Sequence, residues 1–160
     1  MADPPTARYY KRSRFVTHLP TDRLYTAAHY WLLRGTNGIW TVGLTRFATR
    51  MLGDIVEVGF HVTPAEAIAV GQGIGFMEGF KAVSDIYSVV DGAFAGANAD
   101  LERDITQLEN DPYGRGWLFR ASGIPDPQHC DAEGYAAILD LTIDAMLASR
   151  HDLAGDDEKK

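Results

Sequence analysis

One lysine stands alone in the body of this 160-residue chain. Of the 15 basic residues, 11 are arginine, and Lys81 is the only lysine between Arg12 and Glu158. A guanidinium stays protonated at ordinary pH, whereas a lysine amine can act as a nucleophile and be acylated. The count indicates a position that needs a modifiable amine. An arginine-rich composition that left one lysine by chance explains the count equally well.

Two apolar-patterned runs flank Lys81 and predict how it is presented. Residues 74–80 and 82–90 are predicted strands, which places Lys81 at the tip of a β-hairpin. Such a tip exposes its side chain to large partners while the strands hold its base. Around the hairpin, residues 25–120 show short apolar runs separated by glycines, a pattern typical of an all-β domain.

Two helices are predicted beside the strands. Residues 45–52 read as a short helix, with Thr45 as its N-cap and Gly53 as its end. Residues 131–149 carry apolar side chains at spacings of three and four, which predicts one amphipathic helix with Asp131 as its cap.

The two ends of the chain differ from its middle. Residues 1–23 carry three prolines and no sustained period, so we expect an extended arm that Tyr9 and Tyr10 could dock onto the body. Residues 24–150 form the predicted domain. Residues 151–160 are expected to be a polar tail, and removing residues 1–13 or 155–160 should leave the domain folded.

Composition excludes several classes of function. The net charge of −7 argues against a phosphate-backbone binder, so no nucleic-acid partner is expected. The longest apolar runs are too short to span a membrane, and the N-terminus lacks the apolar run of a secretory signal. Cys130 is the only cysteine, which predicts a reducing, cytoplasmic environment. The histidines have no ligand spacing, so no metal site is predicted.

The sequence around Lys81 reads Glu78-Gly-Phe-Lys-Ala-Val-Ser-Asp-Ile-Tyr-Ser-Val-Val-Asp-Gly92. It resembles the lipoyl-lysine hairpin of the glycine cleavage system H protein family. Three further stretches resemble motifs of that family in the same order: Gly43-Leu-Thr-Arg-Phe-Ala-Thr-Arg-Met-Leu-Gly-Asp-Ile-Val56, Asn98-Ala-Asp-Leu101 and Asn110-Asp-Pro-Tyr-Gly-Arg-Gly-Trp-Leu118. Each motif is weak alone, but the colinear set is specific.

The resemblance implies a mainly β, barrel-sandwich hybrid fold with lipoate joined to Lys81 by an amide. The protein would be a carrier and not an enzyme, shuttling an aminomethyl group from the PLP-containing glycine decarboxylase to the tetrahydrofolate-dependent aminomethyltransferase. Dihydrolipoyl dehydrogenase would reoxidise the arm, and a lipoate-attaching enzyme would install it. The hard chemistry belongs to cofactors, one of which this chain positions.

The residues around Lys81 have predicted roles. Glu78 and Asp85 place negative charge on either side of the lysine, which either is recognised by a lipoate-attaching enzyme, as the resemblance implies, or keeps the tip solvated. Gly92 is expected to supply backbone freedom where the second strand closes.

The groove that would shelter the arm is implied to include Ala28, Tyr30 and Phe47. The family commonly has Ser-His-Glu-Trp where this chain has Ala28-His-Tyr-Trp31. Two polar groups are therefore missing and Asp85 remains, so a loaded arm should be less protected here. Tyr30 is expected to stack on the arm or to wall it off.

Three alternatives stay open at this point. One is a lipoate-binding relative that serves another pathway, such as sulfur oxidation. Another is a non-lipoylated structural or regulatory relative in which the N-terminal arm and the C-terminal helix mediate assembly. A biotin carrier is disfavoured, because Phe80-Lys-Ala82 lacks the Met-Lys-Met surroundings typical of biotinyl hairpins.

Overall fold

The computed structural model describes residues 6–158, so the first five residues of the predicted arm and the last two of the predicted tail lie outside it. The described elements follow in the order β1 (Ala7–Arg12), β2 (Phe15–Pro20), β3 (Leu24–Tyr25), β4 (Tyr30–Arg34), β5 (Ile39–Leu44), α1 (Arg46–Leu52), β6 (Ile55–Phe60), β7 (Ala67–Ile68), β8 (Gly73–Gly79), β9 (Val83–Tyr87), β10 (Val90–Ala97), α2 (Asp100–Arg103), α3 (Gln107–Asn110), β11 (Phe119–Pro125) and α4 (Ala132–Glu158).

The strands form two main sheets around one core. A six-stranded sheet has the order β3-β4-β5-β11-β10-β7, and a three-stranded sheet has the order β6-β8-β9. Leu32 and Phe119 from the larger sheet and Ile74 and Ile86 from the smaller one are fully buried in the same cluster. The mainly β, barrel-sandwich hybrid fold expected from the sequence is confirmed.

The predicted hairpin around Lys81 is present as β8 and β9, which pair antiparallel. The second strand is shorter than expected, because the run to residue 90 divides at Ser88 and Val89. The Ser88 N–H donates to the Gln72 carbonyl, while the Val89 carbonyl accepts from the Asp126 N–H. The chain thereby leaves the small sheet and enters the larger one as β10.

Both predicted helices are present. Thr45 Oγ1 accepts the Ala48 N–H at the start of α1, and Gly53, at φ 74°, ends it. Asp131 Oδ1 accepts the Gly134 N–H at the start of α4. This helix continues beyond the predicted end at residue 149 through Glu158, so residues 151–158 are helical and not the unstructured tail that was expected.

Strand β11 begins at Phe119 and runs to Pro125, pairing with both β5 and β10. The short helices α2 and α3 were not predicted. They occupy the connection from β10 to β11, where each buries a single leucine, Leu101 and Leu108 respectively.

The expected extended arm is a docked hairpin in the described structure. Strands β1 and β2 pair from residue 7 to residue 20, and Tyr10 and Leu19 are buried. Tyr10 Oη donates to Asp140 Oδ1 of α4 at 2.8 Å, and Arg12 forms an ion pair with Asp144 at 2.7 Å. The hairpin packs against residues of α4 that lie more than a hundred positions further along the chain. Local periodicity in the sequence therefore could not predict this contact. The division into arm, domain and tail stays a prediction.

This docking makes two neighbouring tyrosines a matched test of the hairpin. Tyr10 is 4% exposed and Tyr9 is 56% exposed. We expect Tyr10→Ala to lower the free energy of unfolding by about 3–5 kcal/mol, the usual cost of truncating a buried aromatic. Tyr9→Ala should cost about 1 kcal/mol or less. Urea unfolding followed by circular dichroism measures both. Equal costs would show that the hairpin does not pack on α4 as described.

Candidate functional site

Lys81 is the middle residue of the three-residue connection, residues 80–82, that joins β8 to β9. The Gly79 N–H donates to the Ala82 carbonyl at 2.9 Å and closes the turn over Phe80 and Lys81. The Lys81 side chain is exposed, and so are those of its neighbours: Phe80 is 78% and Val83 70% exposed. Large apolar side chains this accessible beside an amine are suited to contact a partner protein.

Two backbone hydrogen bonds attach the turn to the connection between α1 and β6. The Phe80 N–H donates to the Asp54 carbonyl and the Lys81 N–H donates to the Leu52 carbonyl, each at 3.0 Å. We call these the tip hydrogen bonds. They fix the Lys81 backbone while leaving its side chain accessible, so the amine is presented from a defined position.

Glycine at two positions permits this close approach. A Cβ on Gly79 would lie 2.2 Å from the Leu52 carbonyl oxygen, which is far inside van der Waals contact. A Cβ on Gly53 would lie 2.9 Å from the Lys81 Cγ, and its φ of 74° already disfavours other residues. The lysine stem therefore passes over a backbone that has no side chain there.

A cavity of about 360 Å³ opens beside Lys81 and is lined by charged residues. They are Arg46, Arg50, Asp54 and Glu109, together with Thr49, Gly53 and Phe80. Arg46 Nη1 donates to the Glu109 carbonyl, and Glu109 Oε1 accepts the Ile55 N–H at 2.5 Å. Glu109 thereby ties α3 to the start of β6, next to the turn that carries Lys81.

A second cavity, of about 230 Å³, brings together three residues singled out from the sequence. We call it the arm groove; its walls include Ala28, Tyr30 and Asp85, with Met51, Met77 and Tyr87. Asp85 is four residues from Lys81 along β9, roughly 13 Å at the rise of a strand. Its exposed carboxylate therefore lies within reach of a long flexible group on the lysine.

Tyr30 lines the arm groove, as expected, but as a buried side chain. Its side chain is 2% exposed, and its Oη accepts the Tyr87 N–H at 3.1 Å. Burial raises the pKa of Tyr30 to about 12, so the phenol stays neutral. The hydrogen bond supports β9, and the contact of Tyr30 with an arm stays a prediction.

Two residues assigned to the site from the sequence lie elsewhere. Phe47 is absent from the lining of the arm groove; its buried ring packs against Phe15 at 5.5 Å and His29 at 4.7 Å. Gly92 lies in β10 of the larger sheet, where a Cβ would meet the Ser122 carbonyl oxygen at 1.9 Å. Gly92 is therefore needed for close backbone approach between β10 and β11 and does not belong to the carrier hairpin.

His29 is the functional-site neighbour that sequence reasoning missed. Its Nδ1 lies 2.8 Å from the Tyr135 Oη, which also lies 2.7 Å from Thr45 Oγ1, the cap of α1. Burial lowers the pKa of His29 to about 4, so the imidazole is neutral at pH 7. Its φ of 71° is unusual for a residue other than glycine. The histidine links the rim of the arm groove to α4.

Two further findings concern the described residues as a whole. No group of three or more histidine, cysteine, aspartate or glutamate side chains within the described part of the chain could hold a metal ion. None of the helices described for residues 6–158 is long and apolar enough to cross a membrane.

Fold and site together define a class of protein: a two-sheet β domain that presents one lysine on a hairpin fixed to its body. Comparison with known proteins places the chain within that class. Residues 23–130 match the family model described as glycine cleavage H-protein. The chain belongs to the glycine cleavage H-protein family.

Individual relatives agree with this assignment. The glycine cleavage system H protein of Beutenbergia cavernae is 39% identical over 120 residues, covering 75% of this chain and 95% of the relative. That of Edwardsiella ictaluri is 38% identical over 134 residues, covering 78% and 99%. The crystal structure of an H protein from Mycobacterium marinum matches with a TM-score of 0.67 and 32% identity, covering 74% of this chain and 97% of that one.

The tip hydrogen bonds can be tested with two glycines of the same strand. Gly79→Ala should push the turn away from Leu52, lower the free energy of unfolding by about 1–3 kcal/mol and speed hydrogen exchange at the Lys81 amide. Gly73→Ala is the control, because a Cβ there meets nothing within 4 Å. It should leave stability within about 0.5 kcal/mol of the parent.

Exchange followed by NMR reads the Phe80 and Lys81 amides directly in both variants. Unchanged protection of these two amides in Gly79→Ala would show that the turn is not held by the α1–β6 connection.

Proposed function

We propose that this protein is the lipoyl-carrying H protein of a glycine cleavage system, with lipoate joined by an amide to Lys81. The observation that carries the proposal is the position of Lys81. The one lysine between Arg12 and Glu158 occupies the exposed turn of the β8–β9 hairpin in a chain of the H-protein family. Chance survival of a single lysine does not account for that coincidence of place and family.

The surroundings of Lys81 fit a long acyl group. The amine is exposed, its stem passes over Gly53, and the arm groove opens along the strand that leaves the turn. Acylation removes the ammonium charge, so the attached chain can lie against apolar walls such as Met51 and Met77 without burying a cation. When bound, the lipoyl group supplies a dithiolane that accepts an aminomethyl group and electrons.

The chain's own residues present and shelter that group. The tip hydrogen bonds hold the attachment point, and the exposed Phe80 and Val83 offer apolar contact to the enzymes that must reach it. Glu78 and Asp85 put negative charge on either side of Lys81, which a lipoate-attaching enzyme with a basic surface can read.

Asp85 is the one groove residue with a carboxylate for a protonated amine on the arm. A cation at this half-open site gains from the Asp85 charge, while Ala28 offers no side-chain acceptor and the Tyr30 oxygen already accepts the Tyr87 N–H. The amine of a loaded arm depends on one carboxylate here, so it is held less firmly than in a groove with two.

The proposed partners follow from the carrier role. They are the PLP-dependent glycine decarboxylase, the tetrahydrofolate-dependent aminomethyltransferase, dihydrolipoyl dehydrogenase and a lipoate-attaching enzyme. The carrier itself makes and breaks no bond of the substrate. A reducing cytoplasm is the proposed compartment, in keeping with the single, free Cys130.

Attachment at Lys81 is tested by incubating the protein with a lipoate-attaching enzyme and measuring intact mass. The parent should gain one lipoyl group and Lys81→Arg none, because a guanidinium cannot be acylated under these conditions. Lys11→Arg, which removes a lysine from the docked hairpin, should be modified like the parent. A lipoyl adduct on Lys81→Arg would refute the assignment.

The role of Asp85 is tested by the lifetime of the loaded arm. Asp85→Asn keeps the shape of the side chain and removes its charge, so release of ammonia should become faster, on the order of fivefold for a partly exposed ion pair. Ala28→Ser, which adds an acceptor, should slow the release.

Glu78→Gln is the matched control, since Glu78 is an exposed acid of the same hairpin that does not line the arm groove. Equal release rates for Asp85→Asn and Glu78→Gln would show that the groove carboxylate does not hold the amine. Failure of a glycine decarboxylase to load the lipoylated parent at all would favour a carrier for another pathway.

A further inference from the structure

A third cavity lies between the N-terminal hairpin, α1 and the outer half of α4. Its volume is about 240 Å³. The floor is apolar and is formed by Phe15, Phe47, Met51, Ile143, Met146 and Leu147. The rim carries Arg12, Arg14, Arg50 and Arg150. We call it the arginine-rimmed pocket.

The charge at this rim is exceptional for the molecule. The chain has a net charge of −7, yet four of its 11 arginines surround one cavity, and none of the acidic side chains that the structure describes lines it. Arg12 is occupied by Asp140 and Asp144, but among residues 6–150 Arg14, Arg50 and Arg150 form no ion pair. Exposed guanidiniums above an apolar floor are complementary to an anion with a hydrocarbon chain.

Two of the three walls lie outside the part of the chain that matches the family. The match covers residues 23–130, whereas the pocket takes Arg12 to Phe15 from the hairpin and Ile143 to Arg150 from α4. The pocket therefore comes from the docking of the hairpin on the long helix, and carriage of an arm on Lys81 does not require it.

We propose that the arginine-rimmed pocket binds a medium-chain carboxylate without covalent attachment, with the chain on the apolar floor and the carboxylate at the rim. The volume lies slightly below the range of about 300–1,000 Å³ typical of drug-sized sites, which favours a short chain over a long-chain lipid. Each methylene group that is fully buried raises the affinity about fourfold, and the attraction between the carboxylate and the arginines fixes the orientation of the ligand.

The pocket adjoins both cavities of the carrier site. Arg50 also lines the cavity beside Lys81, and Met51 also lines the arm groove. A carboxylate held here would therefore lie next to the attachment site. The proposal is independent of the proposed function, because it concerns a free ligand and the unmodified full-length protein.

The methionines report where a ligand sits. Met51 lines both the arm groove and the arginine-rimmed pocket, Met77 lines only the groove, and Met146 lines only the pocket. Protein labelled with ¹³C at the methionine methyl groups is titrated with octanoate, and the signals are assigned from Met51→Leu, Met77→Leu and Met146→Leu. We expect saturable shifts of Met51 and Met146, with Met77 unmoved.

Matched ligands separate charge from chain. Octanol should bind more weakly than octanoate because it lacks the anion, and butanoate more weakly because it lacks most of the chain. The double variant Arg14→Ala with Arg150→Ala should lower the affinity for octanoate on the order of fivefold, which is the effect expected from the loss of exposed ion pairs. Arg103→Ala, an exposed arginine of α2, should change nothing.

Three results would overturn the proposal. Shifts of Met51 and Met77 without Met146 would place the ligand in the arm groove. If octanol bound as tightly as octanoate, the arginines of the rim would make no contribution to binding. Shifts that do not saturate would indicate only general hydrophobic contact.

Discussion

The two hydrogen bonds that join the lysine turn to the α1–β6 connection are the contacts on which the rest of the site depends. Through them the Lys81 and Phe80 amides are fixed to the Leu52 and Asp54 carbonyls. Each contributes only about 1 kcal/mol, yet together they turn a flexible hairpin end into a fixed attachment point. The backbone of Lys81 is therefore fixed, while its exposed side chain remains free to move.

Helix α1, whose C-terminal end binds the lysine turn, is itself positioned by contacts with α4. The start of α1 is capped by Thr45, whose hydroxyl lies 2.7 Å from the Tyr135 Oη of α4. Tyr135 stacks on Tyr25 at 4.9 Å and contacts His29, which adjoins the arm groove. Helix α4, and through it the N-terminal hairpin, therefore supports the position of Lys81.

The arm groove differs from the pattern expected of the family at two positions. Tyr30 lines the groove and accepts the Tyr87 N–H with its oxygen, while Ala28 offers no side-chain acceptor. Glu78 and Asp85 place acids on the hairpin, while Arg46 and Arg50 of α1 line the cavity beside Lys81 and Arg50 also lines the arginine-rimmed pocket. Acidic and basic side chains therefore both border Lys81.

The sequence predicted the features whose causes are local. The alternation on either side of Lys81, the Thr45 cap and the spacing along α4 need only neighbours in the chain, and they were found. The resemblance to H proteins supplied the groove, of which Ala28, Tyr30 and Asp85 do line one cavity.

What failed depends on contacts distant in sequence. Phe47 packs in a second hydrophobic cluster, with Tyr10, Leu19 and Tyr135, and contacts Phe15 of the N-terminal hairpin. The burial of Tyr30 depends on β9, 57 residues away. In the docked hairpin, β1 buries Tyr10 alone and β2 buries Thr17, Leu19 and Pro20, so no sustained apolar period marks it. Gly92 does have a role in backbone geometry, as the sequence predicted. It lies in the larger sheet, however, and not in the hairpin that carries Lys81.

The central claim is that Lys81 carries lipoate in the living cell. Intact mass of the protein purified from its native host, followed by peptide mapping, tests it directly. The account predicts one lipoyl group per chain, on the peptide that contains Lys81. An unmodified chain, a biotinyl group, or a lipoyl group on any other lysine would contradict it.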